Sequence, residues 1–223
     1  VMTTRAEAAN VKRFTDRYRL CCTPLMIAVE DQALGSDYGS TGYTTRDQAD
    51  ALAVHLHLGP GDRLADIGAG SGWPGLYLAT KTGCHVVGTD LPFDGLRRAQ
   101  LRAVSDGLAG RASYAVATGS RQPFRPGSFD AVVHTDVLCC LGPKLAVLRA
   151  CHQILRPGGR LAFTTIHVAP DLDSARHRRA VRAGPWQVAT RRPYPELVAQ
   201  AGFTDVVQID VTPEYARTQR AWC

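Results

Sequence analysis

A strand that runs directly into a glycine-rich turn, which in turn opens a helix, constrains this chain more than any other feature. The segment reads Leu64-Ala65-Asp66-Ile67-Gly68-Ala69-Gly70-Ser71-Gly72-Trp73. Glycine lets the backbone turn sharply and approach a ligand closely, and the helix that follows offers unpaired amides at its N-terminus. Dinucleotide-binding enzymes share such a turn, so alone it discriminates little. Three details lean away from a nicotinamide dinucleotide. The spacing is Gly-x-Gly-x-Gly with Trp73 next, Asp66 would meet a pyrophosphate with like charge, and that same carboxylate suits a ligand carrying an ammonium group.

The rest of the chain extends this pattern. Strands are predicted at 63–67, 85–89, 112–117, 129–134, 160–166 and 206–211. Helices are predicted from near Trp73, over 94–108, 143–155, 174–182 and 195–201, and through the last residues. Apolar strands separated by helices imply an α/β fold: a doubly wound, mostly parallel sheet covered on both faces. Ahead of Pro60-Gly61 come three helical patterns. Val11, Phe14, Tyr18 and Cys21 form one, Leu25, Ala28, Val29 and Ala33 the next, and Thr45-Arg46-Asp47-Gln48 is a capping box opening the third. Residues 1–58 are read as an N-terminal helical cap and lid, and 59–223 as the ligand-binding body of the same domain. A seven-stranded sheet of this type needs one more antiparallel strand than the sequence displays, so either the last helix replaces it or the chain as given is cut short.

Composition narrows the class. No apolar run approaches the roughly 18 residues of a membrane span, and the first residues lack a signal-peptide core, so a cytoplasmic protein is expected. Seven cysteines, with adjacent pairs Cys21-Cys22 and Cys139-Cys140 and no Cys-x-x-Cys, argue against a disulfide framework and a zinc ribbon. Cys139, Cys140 and Cys151 sit in apolar stretches, where packing is the simplest role. The net charge is +6, with Arg176, Arg178, Arg179, Arg182, Arg191 and Arg192 crowded together. An acidic acceptor or nucleic acid is one reading of that cluster. A solvated helix face is the simpler one, and no aromatics interleave for stacking on single strands.

Asp90 ends the second strand twenty residues after Gly70, where a carboxylate can accept from both hydroxyls of a ribose. Ala117-Thr118-Gly119-Ser120 ends the third strand at the same sheet edge, where ligands of open α/β sheets bind. With these residues in hand, the sequence resembles the class I S-adenosylmethionine-dependent methyltransferases, particularly the small-molecule branch related to ubiquinone/menaquinone and glycine/sarcosine methyltransferases. The matching stretches are 64–78, 86–92, 120–141 and 155–163. The resemblance implies S-adenosylmethionine as cofactor and S-adenosylhomocysteine as product. It implies that Asp66 and the backbone of Gly68, Ala69, Gly70 and Gly72, with Trp73, hold the methionine part, Asp90 the ribose, and Leu91 the adenine. Many relatives place an acidic residue after the third strand against the adenine amino group, and here Thr118 or Ser120, with Gly119 between, falls there. Thr135 would lie beside the methionine, and Tyr38, Tyr43 and Thr44 are placed for the cap to close over cofactor and acceptor.

Methyl transfer from a sulfonium needs mainly alignment, and an oxygen acceptor gains from a base. His134, Asp136 and His167 lie at strand ends on the expected methyl side and are the candidate bases; a structural histidine is the bland reading. The expected partner is a small-molecule acceptor. Three other readings stay open. An RNA methyltransferase would usually carry Asn/Asp-Pro-Pro-Tyr where this chain has His134-Thr135-Asp136-Val137. A catalytically silent cofactor-binding module would keep the same glycine and Asp90 signals. An NAD(P)-dependent oxidoreductase would need a hydride-transfer constellation, and no Tyr-x-x-x-Lys is present. A metalloid methyltransferase would need three convergent cysteines, which the spacing does not supply.

Overall fold

In the computed structural model, which describes residues 4–222, the strand leading into the glycine turn is the middle of the sheet. This strand, β1 (Arg63–Ile67), is flanked by β2 (His85–Asp90) and β4 (Phe129–Thr135). The outer strands are β3 (Ala112–Val116) and β5 (Leu155–Thr164). The order is β3-β2-β1-β4-β5, and every pairing is parallel. Side chains alternate across such strands. Leu64, Val86, Ala131 and Val133 therefore pack with α3 (Arg46–Leu56), α4 (Gly75–Thr82) and α5 (Phe93–Ser105) on one face. Ala65, Ile67, Phe129 and Val132 pack with α6 (Lys144–Ile154) and α8 (Tyr194–Gln200) on the other. The doubly wound parallel sheet read from the sequence is the one formed.

Two helices, α1 (Arg5–Cys21) and α2 (Pro24–Leu34), precede α3. The predicted capping box opens α3: Gln48 N–H donates to Thr45 Oγ1 at 3.3 Å, and Thr45 N–H to Gln48 Oε1 at 3.0 Å. A second box, unread in the sequence, opens α1 through Thr4 and Glu7. The loop between α2 and α3 folds around the buried carboxylate of Glu30, which accepts from Ser36 Oγ at 2.5 Å, Ser40 N–H at 3.1 Å and Tyr38 N–H at 3.3 Å. Satisfying a buried carboxylate this way offsets its desolvation. Burial still raises the pKa of Glu30.

The structure differs from the sequence reading in three places. Residues 206–211 form no strand: Val207 and Ile209 are 78% and 58% exposed, and the segment pairs with nothing among the described residues. Alternating apolar residues make a strand only where a neighbour supplies the ladder and a face to cover. β5 begins earlier than read, at Leu155, and Pro157-Gly158-Gly159 forms an irregularity within it, with Gly158 at φ +77°, before unbroken pairing with β4 resumes at Arg160. α4 starts at Gly75, two residues beyond Trp73, because the glycine turn extends further. Of the arginine cluster, Arg176, Arg178, Arg179 and Arg182 lie on α7 (Ser174–Ala183), which has no buried residue, and Arg191 and Arg192 lie in the segment before α8. The remaining helix, α9 (Thr212–Trp222), packs on α2. No helix among the described residues is long and apolar enough to cross a membrane.

Candidate active site

The carboxyl ends of β1, β2 and β4 open into a cavity of about 330 Å³, within the size range of small-molecule sites. Its floor is the glycine turn. Gly68 and Gly70 line it with φ of +76° and +51°, conformations that cost a side-chain-bearing residue energy. Space as well as φ demands glycine there. A Cβ at Gly68 would run into Val137 Cγ2, and one at Gly70 would come within 2.5 Å of Tyr18 Oη. Ser71 Oγ donates to Gly39 O at 3.2 Å and Trp73 Nε1 to Thr44 O at 2.8 Å, pinning the loop before α3 onto the turn.

Asp90 faces the cavity from the end of β2. Its Oδ1 accepts Leu91 N–H at 2.8 Å, and its Oδ2 accepts Gly70 N–H at 3.1 Å and the Tyr18 hydroxyl at 3.4 Å. Burial pushes this carboxyl up to about 6, against those hydrogen bonds. Leu91, Ala69, Thr118, Gly119, Trp73 and Thr135 also line the cavity. Glu7 of α1 reaches the end of β3, where Thr118 Oγ1 donates to its Oε1 at 2.5 Å. A carboxylate thus stands where the sequence offered only Thr118 or Ser120. Nothing in the residue pattern announces it beyond the Thr4-x-x-Glu7 spacing.

The other half of the cavity is built around Asp136, whose φ of +55° turns the chain at the end of β4. Its Oδ2 accepts Tyr43 N–H at 2.7 Å, and burial raises its pKa. Tyr43 stands edge-on to Tyr215 of α9 with ring centroids 5.4 Å apart, and both line the cavity. Cys139, Cys140 and Trp186 complete this half. α1 spans the opening. At one end Tyr18 meets Asp90, and at the other Asn10 Nδ2 donates to Cys140 O at 3.2 Å while Phe14 packs on Trp186 at 5.5 Å.

Several candidate residues are not brought here. His134 is fully buried on the opposite side of β4 from Thr135, because adjacent strand residues face opposite ways. Its ring stacks on Phe163 at 4.6 Å, neither ring nitrogen has a hydrogen-bond partner, and burial pushes its pKa down to about 3. His167 is exposed and packs edge-on against Tyr194, while its neighbour Ile166 lines the cavity. Neither histidine is positioned as a base. Asp66 points beneath the turn against Gly75, with its pKa pushed up to about 8 by burial and then by Asp90. It faces no ligand space, so the charge arguments built on it, against pyrophosphate and for an ammonium, do not act through this geometry. Gly72 packs on Leu76 and Ala99, and Ser120 and Tyr38 also lie off the cavity wall. Tyr38 is sandwiched between Trp73 at 5.4 Å and the guanidinium of Arg102 at 4.0 Å.

A parallel sheet of this order, with a glycine turn after its central strand and a carboxylate ending the next, defines the class I methyltransferase fold. Residues 65–163 match the family described as "Methyltransferase domain". The chain is 28% identical to phosphoethanolamine N-methyltransferase 1 of Arabidopsis thaliana, over 83% of this chain and 37% of that protein. It is 33% identical to methyltransferase GfsG of Streptomyces halstedii, over 74% of this chain and 61% of that one. Its fold superposes on phosphoethanolamine N-methyltransferase 2 of Haemonchus contortus, solved with S-adenosyl-L-methionine, with a TM-score of 0.77 and 25% identity. That match covers 95% of this chain and 48% of the other. The chain has the fold of the class I S-adenosylmethionine-dependent methyltransferases, and its residues 65–163 match a methyltransferase domain. It spans less than two thirds of the length of these relatives.

Proposed function

We propose that this chain transfers a methyl group from S-adenosylmethionine to a small-molecule acceptor held against Asp136. The observation that carries this is one continuous cavity joining the Gly68–Gly70 turn and Asp90 to Asp136 and Tyr43. The residues fit the cofactor. Asp90 offers about four acceptor positions, of which two are met by backbone amides and a third by the long contact from Tyr18. One ribose hydroxyl can take the fourth, and a second can replace the long Tyr18 contact. S-adenosylmethionine supplies the methyl group on a sulfonium centre. The chain's own residues align the acceptor, exclude water and accept a proton. Asp136 Oδ2 is held by Tyr43 N–H while Oδ1 accepts no hydrogen bond from the described residues, so the acceptor is an amine or hydroxyl that donates to Asp136 Oδ1. The aromatic edges of Tyr43 and Tyr215 wall that position, and α1 covers it. A nucleic-acid acceptor is disfavoured by the enclosure of the cavity and by the absence of any buried anchor on the arginine-bearing α7.

The test is calorimetry with S-adenosylhomocysteine followed by an acceptor screen that reads S-adenosylhomocysteine release. Binding of the homocysteine product, with NAD binding weaker or absent, supports the reading. Asp136→Asn should keep cofactor affinity and lose at least tenfold in turnover with the acceptor found. Tighter binding of NAD, or full turnover in Asp136→Asn, would overturn the cofactor or the acceptor part respectively.

A further inference from the structure

Two thiols in the acceptor half of the cavity have no part in the proposed transfer. Cys139 and Cys140 end the 3-10 turn Leu138–Cys140, both line the cavity, and their sulfurs lie 3.9 Å apart. A disulfide needs sulfurs about 2.0 Å apart. At 3.9 Å the two sulfurs touch without being bonded, close enough for a small turn of either side chain to bring both onto one soft atom.

The pair is held in place. Cys140 N–H donates to Val137 O at 2.9 Å, and the Cys139 thiol lies 3.1 Å from Asp136 O. Lys144 Nζ donates to Leu138 O at 2.8 Å and Leu141 O at 2.9 Å, clamping both ends of the turn. The contact between the two thiols holds Cys140 below its ordinary pKa and, with burial, pushes Cys139 up. Cys140 is therefore the readier nucleophile. The adjacent pair Cys21 and Cys22 lies off the cavity, and burial raises both of those thiols.

We propose that Cys139 and Cys140 form a dithiol site for trivalent organoarsenicals, seated in the acceptor half of the cavity. A metal ion would ask for further protein donors, and the described residues hold no group of three or more His, Cys, Asp or Glu that could supply them. A monosubstituted arsenical brings its own carbon as third ligand, so two sulfurs complete it. The reaction balances without redox change: R–As=O and two thiols give R–As(S–)2 and water. Two As–S bonds replace the As–O bond, both thiol protons leave in the water, and arsenic stays trivalent. The adduct fills the acceptor side and leaves the Gly68–Gly70 turn and Asp90 open.

The site does not depend on methyl transfer, so its test reads mass. The reduced full chain is treated with one equivalent of phenylarsine oxide, then examined by intact mass and peptide mapping. One phenylarsenic adduct should map to the Cys139-Cys140 peptide, survive excess glutathione and be removed by dimercaptopropanol. Cys139→Ser and Cys140→Ser should each lose at least tenfold in adduct retention against glutathione, while Cys22→Ser retains it fully. S-adenosylhomocysteine affinity of the adduct should stay within twofold of the free chain. An adduct on Cys21-Cys22, no adduct resistant to glutathione, or undiminished retention in either serine variant would overturn the site. Mapping the unsubstituted chain decides the matter even if a variant fails to fold.

Discussion

At the scale of single residues, the two carboxyls beside the glycine turn behave differently from ordinary aspartates. Asp90 titrates near 6 because burial disfavours its charge. Ribose hydroxyls donate to the ionised form, so affinity for S-adenosylhomocysteine should weaken as pH falls through about 6, towards tenfold per unit. Asp90→Ala should remove that pH dependence and weaken binding by at least tenfold, since hydrogen bonds to charged groups contribute about 1.5–3 kcal/mol each; calorimetry from pH 5 to 8 measures both. Unchanged affinity would reduce Asp90 to a turn residue. Asp66, raised to about 8 in the fold against about 3.9 unfolded, gives a stability effect of the opposite kind. Between those values the unfolded chain gives up a proton that the folded chain keeps, so stability falls with rising pH. Asp66→Asn removes this term, and its melting temperature should decline less than the unsubstituted chain's between pH 5 and 8. An equal decline would refute the burial argument. The sequence made Asp90 legible because a strand end two elements from a glycine turn has few other uses. It misplaced Asp66 and His134 because residue type alone does not tell which face of a buried strand a side chain takes. Glu7, Tyr18 and Tyr215 arrive from distant helices, which no local spacing announces.

At the scale of elements, strands and helices with their own local logic were readable, and those that depend on a neighbour were not. β1, β2 and β4 carry apolar runs that only a covered sheet can bury, and α3 carries its capping box. The 206–211 segment has the alternation of a strand without a partner to pair with. The 3-10 turn Leu138–Cys140 was equally invisible, because what fixes it is Lys144, a residue that propensity would leave in solvent. Its Nζ donates to Leu138 O, Leu141 O and, at 2.6 Å, Gln187 O. One cation thus ties the turn to the segment after α7, with burial lowering its pKa. Lys144→Met keeps the stem and removes the donors, leaving three carbonyls short of a partner. Each unmet buried group costs about 1–3 kcal/mol, so thermal melting should show a loss of at least that size. KM for the acceptor should rise with S-adenosylhomocysteine affinity preserved. A variant that melts like the parent would show that water satisfies those carbonyls as well.

At the scale of the whole molecule, the sheet is a rigid floor and α1 is the part that completes the site. Six residues of α1, namely Glu7, Asn10, Val11, Phe14, Arg17 and Tyr18, fall at i, i+3, i+4, i+7, i+10 and i+11, so one continuous helical face looks into the cavity. Only Tyr18 and Cys21 of the helix are buried. Its hold on the body is therefore modest, and much of its inner face meets ligand space. A cofactor in the cavity adds contacts along that face and couples binding to closure of α1. At a hundredfold excess over Kd a ligand that binds only the folded state stabilises it by about 2.7 kcal/mol, which for a chain of this size raises Tm by roughly 5–11 °C. The distribution of that gain is the sharper expectation. With S-adenosylhomocysteine bound, amide exchange should slow across α1 and the glycine turn, while the arginine-bearing middle of α7, exposed throughout, exchanges as before. Protection confined to the turn, with α1 unchanged, would mean that the helix stands beside the site and takes no part in closing it.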